Sequence, residues 1–315
     1  MLEVLAPGPL TTIQDGIGRL DAAGLGVPRG GAADPYGLAV ANLVVGNAPA
    51  AAGLEITLGG AAFLARASCL VGVGGADLGT TLDGRPLAPG SSQRVATGQR
   101  LSFGTPEPGS GIRGYLALAG GIDVPTVLGS ASTCLAGAFG GLDGRPLREG
   151  DRVATRVPSS GEASRAGRVE RWTGPVRSSA GDPAVVRITP GPHGSGLVAA
   201  LADATWEVSP ISSRVGIRLT GTAIAAGLGR LSSLPVAWGA VQLPPNGQPI
   251  VLLVDAPTVG GYPVVAVVAS ADRGVLGQLG PGDALRFALV SEAEARAAEI
   301  DRRRAFAALV ADLAG

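Results

Sequence analysis

There is no lysine in this chain of 315 residues, so all 25 basic residues are arginine. That excludes a Walker-type phosphate-loop lysine, a Schiff-base lysine and an attached biotin or lipoyl group on this chain. Histidine is nearly as scarce. His193 stands alone, so histidine-based metal sites lose support and no Ser-His-Asp triad emerges. Cys69 and Cys134 are the only cysteines and have no neighbours at metal-ligand spacing. They read as buried free thiols of a reducing compartment, and no metal site is expected. Formal net charge is zero, with no basic block beyond Arg302–Arg304, so neither nucleic acid nor an anionic membrane is an expected partner. Long apolar runs are missing as well. Residues 250–270 are interrupted by Asp255, Pro257, Gly260, Gly261 and Pro263, too often to span a bilayer. Residues 1–9 have neither the basic start nor the apolar core of a signal peptide, and a cytoplasmic location is expected.

What is abundant is glycine and proline, 51 and 24 residues dispersed without a period, against 46% hydrophobic residues. A folded, mainly β protein with many short strands and tight turns follows. Asp83-Gly84, Asp143-Gly144 and Asn246-Gly247 are hairpin signals. Gly98–Phe103 is echoed by Gly282–Phe287, the trace that two related β-barrel units would leave. One helix is predicted over about 34–46, with Asp34 as its cap, Pro35 at its first position and Gly46 at its end. Leu54–Thr57 reads as a strand that sets Glu55 and Thr57 opposite Leu54 and Ile56. Gly129–Thr133 is a small polar loop with the amides to bind an anion. The predicted organisation is an N-terminal β lobe (1–154), a linker or long excursion carrying Trp172 (155–182), a C-terminal barrel (183–290) and a terminal helix (291–315). In the second lobe Arg214 and Arg218 alternate with apolar residues and are predicted on one face. Ser291 and Glu294 form a capping box ahead of a stripe of Phe306, Leu309, Val310 and Leu313.

The segment Gln242–Phe287 organises the second lobe. Two Val- and Ile-rich runs, Ile250–Val254 and Val264–Ala269, read as buried strands. Between them lie Asp255, Thr258, Gly260, Gly261 and Tyr262. A carboxylate, a hydroxyl and a phenol around two glycines suit a binding site. They equally suit a strand–turn–strand in which Asp255 caps the turn, and the residues alone leave both open.

Blocks along the chain carry a family resemblance: Val4–Gly8, Thr11–Asp15, Gly18-Arg19, Gly31–Asp34, Ala41-Asn42, Leu54–Thr57, Gly114–Ala117, Gly120–Ile122, Gly129-Ser130, Arg218-Leu219, Gly247–Ile250, Gly260–Pro263 and Pro281–Asp283. On these the chain resembles the KipA-like family, which also goes by allophanate hydrolase subunit 2, the biotin-dependent carboxyltransferase-like family and the C subunit of 5-oxoprolinase. The resemblance implies two cyclophilin-like β-barrel lobes with a few short helices. It implies a component of an ATP-dependent hydrolase that opens 5-oxoproline to glutamate, a lactam whose amide needs activation, oxyanion donors and a carboxylate for proton traffic. It implies a KipI-like partner (allophanate hydrolase subunit 1, or the oxoprolinase B subunit) and a LamB/YcsF-like partner (the oxoprolinase A subunit), with ATP on this chain or on a partner. Two alternatives are a carboxyltransferase-like part of a urea amidolyase system, its biotin on another chain, and a non-catalytic module that antagonises a KipI-like kinase inhibitor. Carried onto this sequence, it implies Asp255 and Tyr262 as catalytic residues. Gln14, Asp15, Asp34, Asn42, Glu55, Arg214, Gln242, Thr258, Gly260 and Gly261 would bind substrate in a groove between the lobes.

Overall fold

The computed structural model describes residues 1–107, 109–156, 182–225, 227 and 231–314. The protein is mainly β and divides into two compact units. One is formed by Met1–Leu20 and the stretch that follows Gly30, the other by Asp21–Arg29 and the stretch that ends at Asp312. Residues 157–181, most of the expected linker and Trp172 with it, lie outside the described residues.

In the first unit the chain runs β1 (Leu2–Pro7), β2 (Leu10–Gln14), α1 (Pro35–Leu43), β3 (Gly53–Thr57), β4 (Ala61–Ala65) and β5 (Cys69–Gly75). It continues as β6 (Thr81–Leu82), β7 (Arg85–Pro86), β8 (Ser91–Val95), β9 (Arg100–Ser102), β10 (Arg113–Leu118) and β11 (Arg152–Val153). Two sheets result, ordered β11-β1-β4-β9-β6-β7 and β2-β3-β10-β5-β8. One apolar cluster draws on both, with Leu2, Val4, Phe63 and Leu101 from the first and Ile13, Leu54, Val71 and Leu116 from the second.

Helix α1 begins as its sequence predicts: Asp34 Oδ1 accepts from the amides of Tyr36 at 3.1 Å and Gly37 at 3.2 Å, satisfying donors the first turn leaves open. It stops at Leu43, before Gly46, whose φ of 81° completes the reversal. The helix packs on β5 so closely that a Cβ on Gly72 would stand 2.2 Å from the carbonyl oxygen of Ala41. With α1 on one side and the core on the other, every residue of β3 is buried, which puts Glu55 inside the protein rather than on a solvated face.

The second unit contains β12 (Ala184–Pro190), α2 (Val198–Asp203), β13 (Thr205–Val208), β14 (Gly216–Thr220), β15 (Leu234–Pro235) and β16 (Ala240–Gln242). Then come β17 (Ile250–Leu252), β18 (Val259–Gly260), β19 (Val264–Val268), α3 (Arg273–Gln278), β20 (Ala284–Leu289) and α4 (Glu292–Ala314). Seven strands close into a barrel, β12-β19-β16-β17-β14-β13-β20, and β15 pairs with β18 as a separate ribbon. Closure comes from β20 running parallel to β12, from Ala184↔Leu285 to Ile188↔Leu289. Val186, Trp206, Leu219, Val251, Val265 and Phe287 fill the interior. Among the described residues a closed barrel forms only in this unit; the first keeps its two sheets separate.

The echoed segments take matching conformations. Gly98 and Gly282 have φ of 87° and 82°, and each is followed by an amide that bonds three residues back, Gln99 to Ala96 and Asp283 to Gly280, both at 3.1 Å. Of the hairpin signals, Asp83-Gly84 joins β6 to β7 directly. Asn246-Gly247 lies within a longer loop between β16 and β17, and Asp143-Gly144 turns the chain without paired strands on either side. The capping box is present, with the Glu294 amide donating to Ser291 Oγ at 3.2 Å and the Ser291 amide to Glu294 Oε2 at 2.8 Å. Phe306, Leu309 and Val310 are the half-buried side of α4.

Gly72→Ala should lower stability by about 1–3 kcal/mol, since the added methyl meets fixed backbone. Gly24→Ala, with open space at its Cβ position, is the control. Urea denaturation of both variants checks this; equal midpoints would show that α1 can retreat from β5.

Candidate functional site

In the first unit the polar residues singled out from sequence are buried and bonded to one another. Asp15 follows directly on β2. Its Oδ1 accepts from the amides of Gly18 at 2.7 Å and Ile17 at 3.2 Å, and its Oδ2 from Ser130 Oγ at 2.6 Å and the Ala131 amide at 2.8 Å. The Asp15 amide in turn donates to Ser132 Oγ at 2.9 Å. The anion held by the Gly129–Thr133 loop is therefore this chain's own carboxylate. Arg19 locks the same loop, donating to the carbonyls of Ser132 at 2.6 Å and Val127 at 3.1 Å, with its guanidinium 4.7 Å from the Phe139 ring centre. Gln14 lies alongside. Its Nε2 donates to Thr12 Oγ1 at 3.0 Å, while its fully buried Oε1 has no donor.

Glu55 sits in a second cluster. Its Oε2 accepts from the Ala33 amide and from the Tyr115 hydroxyl, both at 2.9 Å, and the same hydroxyl accepts from the Asp34 amide at 2.8 Å. Arg113 approaches Glu55 to 3.6 Å. Burial, followed by the nearby charges of Glu55 and Asp34, raises the Tyr115 phenol well above its usual pKa. Tyr115 thus stays a neutral hydrogen-bond relay. Asn42 makes a third set, donating to the Ala51 carbonyl at 2.7 Å and accepting from Asn47 at 3.0 Å. Asp15, Asp34, Asn42 and Glu55, the substrate contacts that the resemblance implies, are thus each bonded to other parts of the chain.

The second unit differs. Arg214 and Asp255 form a two-point pair, Nε to Oδ2 at 2.8 Å and Nη2 to Oδ1 at 3.1 Å, reinforced by the Asp255 amide donating to the Arg214 carbonyl at 3.1 Å. The shared face predicted for Arg214 and Arg218 is not found. Ser213 and Gly216 bond reciprocally in a tight turn, so β14 starts only at Gly216. Arg214 is buried while Arg218 points to solvent. Gln242, at the end of β16, is buried, and its Nε2 has no acceptor. That nitrogen would lie 2.4 Å from a Cβ on Gly260, so only a glycine at this place of β18 lets the amide lie against the backbone. The backbone on either side of this glycine is committed to the ribbon, with the Val236 amide donating to the Thr258 carbonyl and the Leu231 amide to the Gly261 carbonyl, both at 3.0 Å. Tyr262 is 38% exposed and lines a cavity of about 470 Å³ with Arg218, Ser209, Asn246 and Gln248. Asp255 is not among the walls of that cavity, so the two residues expected to act together do not share it.

Tyr115 escaped sequence reading because it sits in an apolar strand. A buried phenol nevertheless needs a partner for its hydroxyl, and Glu55 on the neighbouring strand β3, directly opposite in register, was the one to look for.

The family model described as "Carboxyltransferase domain, subdomain A and B" matches residues 25–289. The chain is 38% identical to the C subunit of 5-oxoprolinase from Escherichia coli, covering 97% of this chain and 96% of that protein. It is 31% identical to the corresponding 5-oxoprolinase C subunit of Haemophilus influenzae, over 94% and 93%. Among solved structures it is similar to the K. lactis urea amidolyase, with 31% identity, a TM-score of 0.85 and 98% of this chain covered, which amounts to 20% of that much longer chain.

Asp15→Ala strands the Ser130 hydroxyl and several buried amides and should cost about 3 kcal/mol or more of stability. Chemical denaturation measures it. An unchanged midpoint with activity abolished would instead make Asp15 a substrate ligand.

Proposed function

Because this chain belongs to the carboxyltransferase-domain family, we propose that it is one component of an ATP-dependent amide-opening hydrolase, the one that converts 5-oxoproline to glutamate. The end-to-end likeness to the C subunit of 5-oxoprolinase supports this choice of substrate. Within the chain, the observation that carries it is the Gln242 amide donor, buried without an acceptor against Gly260. Buried polar groups are normally paired, and an unpaired donor next to a glycine suits the carbonyl of a bound amide. In this reading the Gln242 side chain receives the lactam carbonyl, with Gly260 and Gly261 holding the ribbon that lies against it. Asp255, its carboxylate aligned by the Arg214 fork, takes part in proton transfer. Tyr262, on its own cavity with Arg218, contacts the far end of the substrate or a partner protein. Activation of the lactam oxygen by phosphorylation would use ATP bound on a partner, since a chain without lysine lacks the side chain that phosphate loops use. The partners proposed are KipI-like and LamB/YcsF-like subunits.

A second reading has a specific observation behind it, the 0.85 TM-score to the K. lactis urea amidolyase. There this chain would serve a carboxyl transfer to an amide nitrogen, with the biotin carried by another chain because no lysine is present to bear it.

Reconstitution separates the two. The chain with both partner subunits, ATP and 5-oxoproline should release glutamate, and the chain alone should not. No glutamate from the full mixture, with urea-dependent ATP hydrolysis in the presence of a biotin carrier, would move the assignment to the second reading. Gln242→Met should lower kcat/KM by about 100-fold, the scale of one lost carbonyl donor, with the unfolding midpoint held because no existing bond is broken. Asp255→Asn should lower turnover in the assembled complex, and full turnover would leave Asp255 only its pairing with Arg214.

A further inference from the structure

Away from these residues, the second unit gathers positive charge around one indole. The guanidinium carbons of Arg29 and Arg273 lie 5.0 Å and 5.2 Å from the ring centre of Trp238. Arg29 comes from the Asp21–Arg29 segment, which joins this unit from far up the chain, and Arg273 opens α3. Two buried donors there have no acceptor among the described residues, Arg273 Nε and Trp238 Nε1. Burial and the charge of Arg29 both lower the Arg273 pKa, opposed by the more favourable field of Glu299. Neighbouring carboxylates are engaged elsewhere. Asp272 accepts from the Arg187 amide at 2.7 Å and from its Nε at 2.9 Å, and Glu299 accepts from Arg303 Nε at 2.7 Å and from Arg302. Arg273 also lines a cavity of about 440 Å³ under α4, whose other charged walls are Glu292, Arg296, Glu299 and Arg303.

The stranded N–H groups of Arg273 and Trp238 raise the energy of the empty state, and a bound acceptor would satisfy them. Arginine's planar fork of donors matches a planar or tetrahedral oxyanion, and a guanidinium can make that match while stacked on an aromatic face. We propose that Arg29, Trp238 and Arg273 form a binding site for the oxyanion, carboxylate or phosphate, of a small molecule whose remainder occupies the cavity beneath α4. The site is independent of Gln242 and Asp255, so it stands whether or not the catalytic reading does.

The test uses the full chain labelled with 5-fluorotryptophan, the Trp238 resonance being assigned by its loss in Trp238→Phe. Inorganic phosphate and succinate are titrated separately against sodium chloride at equal ionic strength. The Trp238 signal should shift saturably with at least one of the two. A response to phosphate alone identifies a phosphoryl ligand, and one to succinate a carboxylate. Arg273→Gln should weaken the apparent affinity at least tenfold, Arg29→Gln on its separate segment should do likewise, and Arg94→Gln in the first unit should change nothing. A Trp238 resonance that moves with neither anion in the unsubstituted chain, or that moves equally in Arg273→Gln, overturns the site.

Discussion

The carboxylate of Asp15 accepts from four donors, two of them 115 and 116 residues further along the chain. It fixes the end of β2 against the Gly129–Thr133 loop, and Arg19 closes the same joint from the other side through two carbonyls and Phe139. Its two oxygens accept two bonds each, so the carboxylate is held on all sides by this chain's own donors. The same logic extends to Glu55, which has the Ala33 amide, Tyr115 and Arg113 around it. Polar residues of the first unit thus hold together loops that glycine-rich sequence alone would leave loose.

Groups whose hydrogen-bonding capacity is unspent stand apart from these. Gln14 Oε1 and Gln242 Nε2 are two such atoms, one an acceptor in the first unit and one a donor in the second. Both belong to glutamines that are the last residues of their strands, β2 and β16, Gln14 opposite Gly53 and Gln242 opposite Ile250 and Val264. Arg214 and Asp255 lie between the two extremes, tightly paired but at a turn of the chain rather than within a sheet.

Much of the architecture is legible from local rules. The Asp34 cap, the Asp83-Gly84 hairpin, the Ser291–Glu294 box and the Val- and Ile-rich strands β17 and β19 are set by residues within a few positions of one another. The site is less legible, for a physical reason. Whether Asp15 or Glu55 meets substrate or its own chain depends on residues 60 to 116 positions away, and a conspicuous polar side chain looks the same in sequence either way. The strand pattern puts Arg214 on the face of Arg218 only if alternation runs through Ser213–Gly216, where a tight turn resets it.

The parallel pairing of β12 with β20 has a consequence for synthesis. These are the first and last strands of the barrel, joined from Ala184↔Leu285 to Ile188↔Leu289. On the ribosome β12 emerges long before β20, and contacts of such wide sequence separation form late. The nascent second unit therefore exposes an unpaired edge of β12 for most of its translation, an invitation to wrong partners that lasts until the final strand arrives.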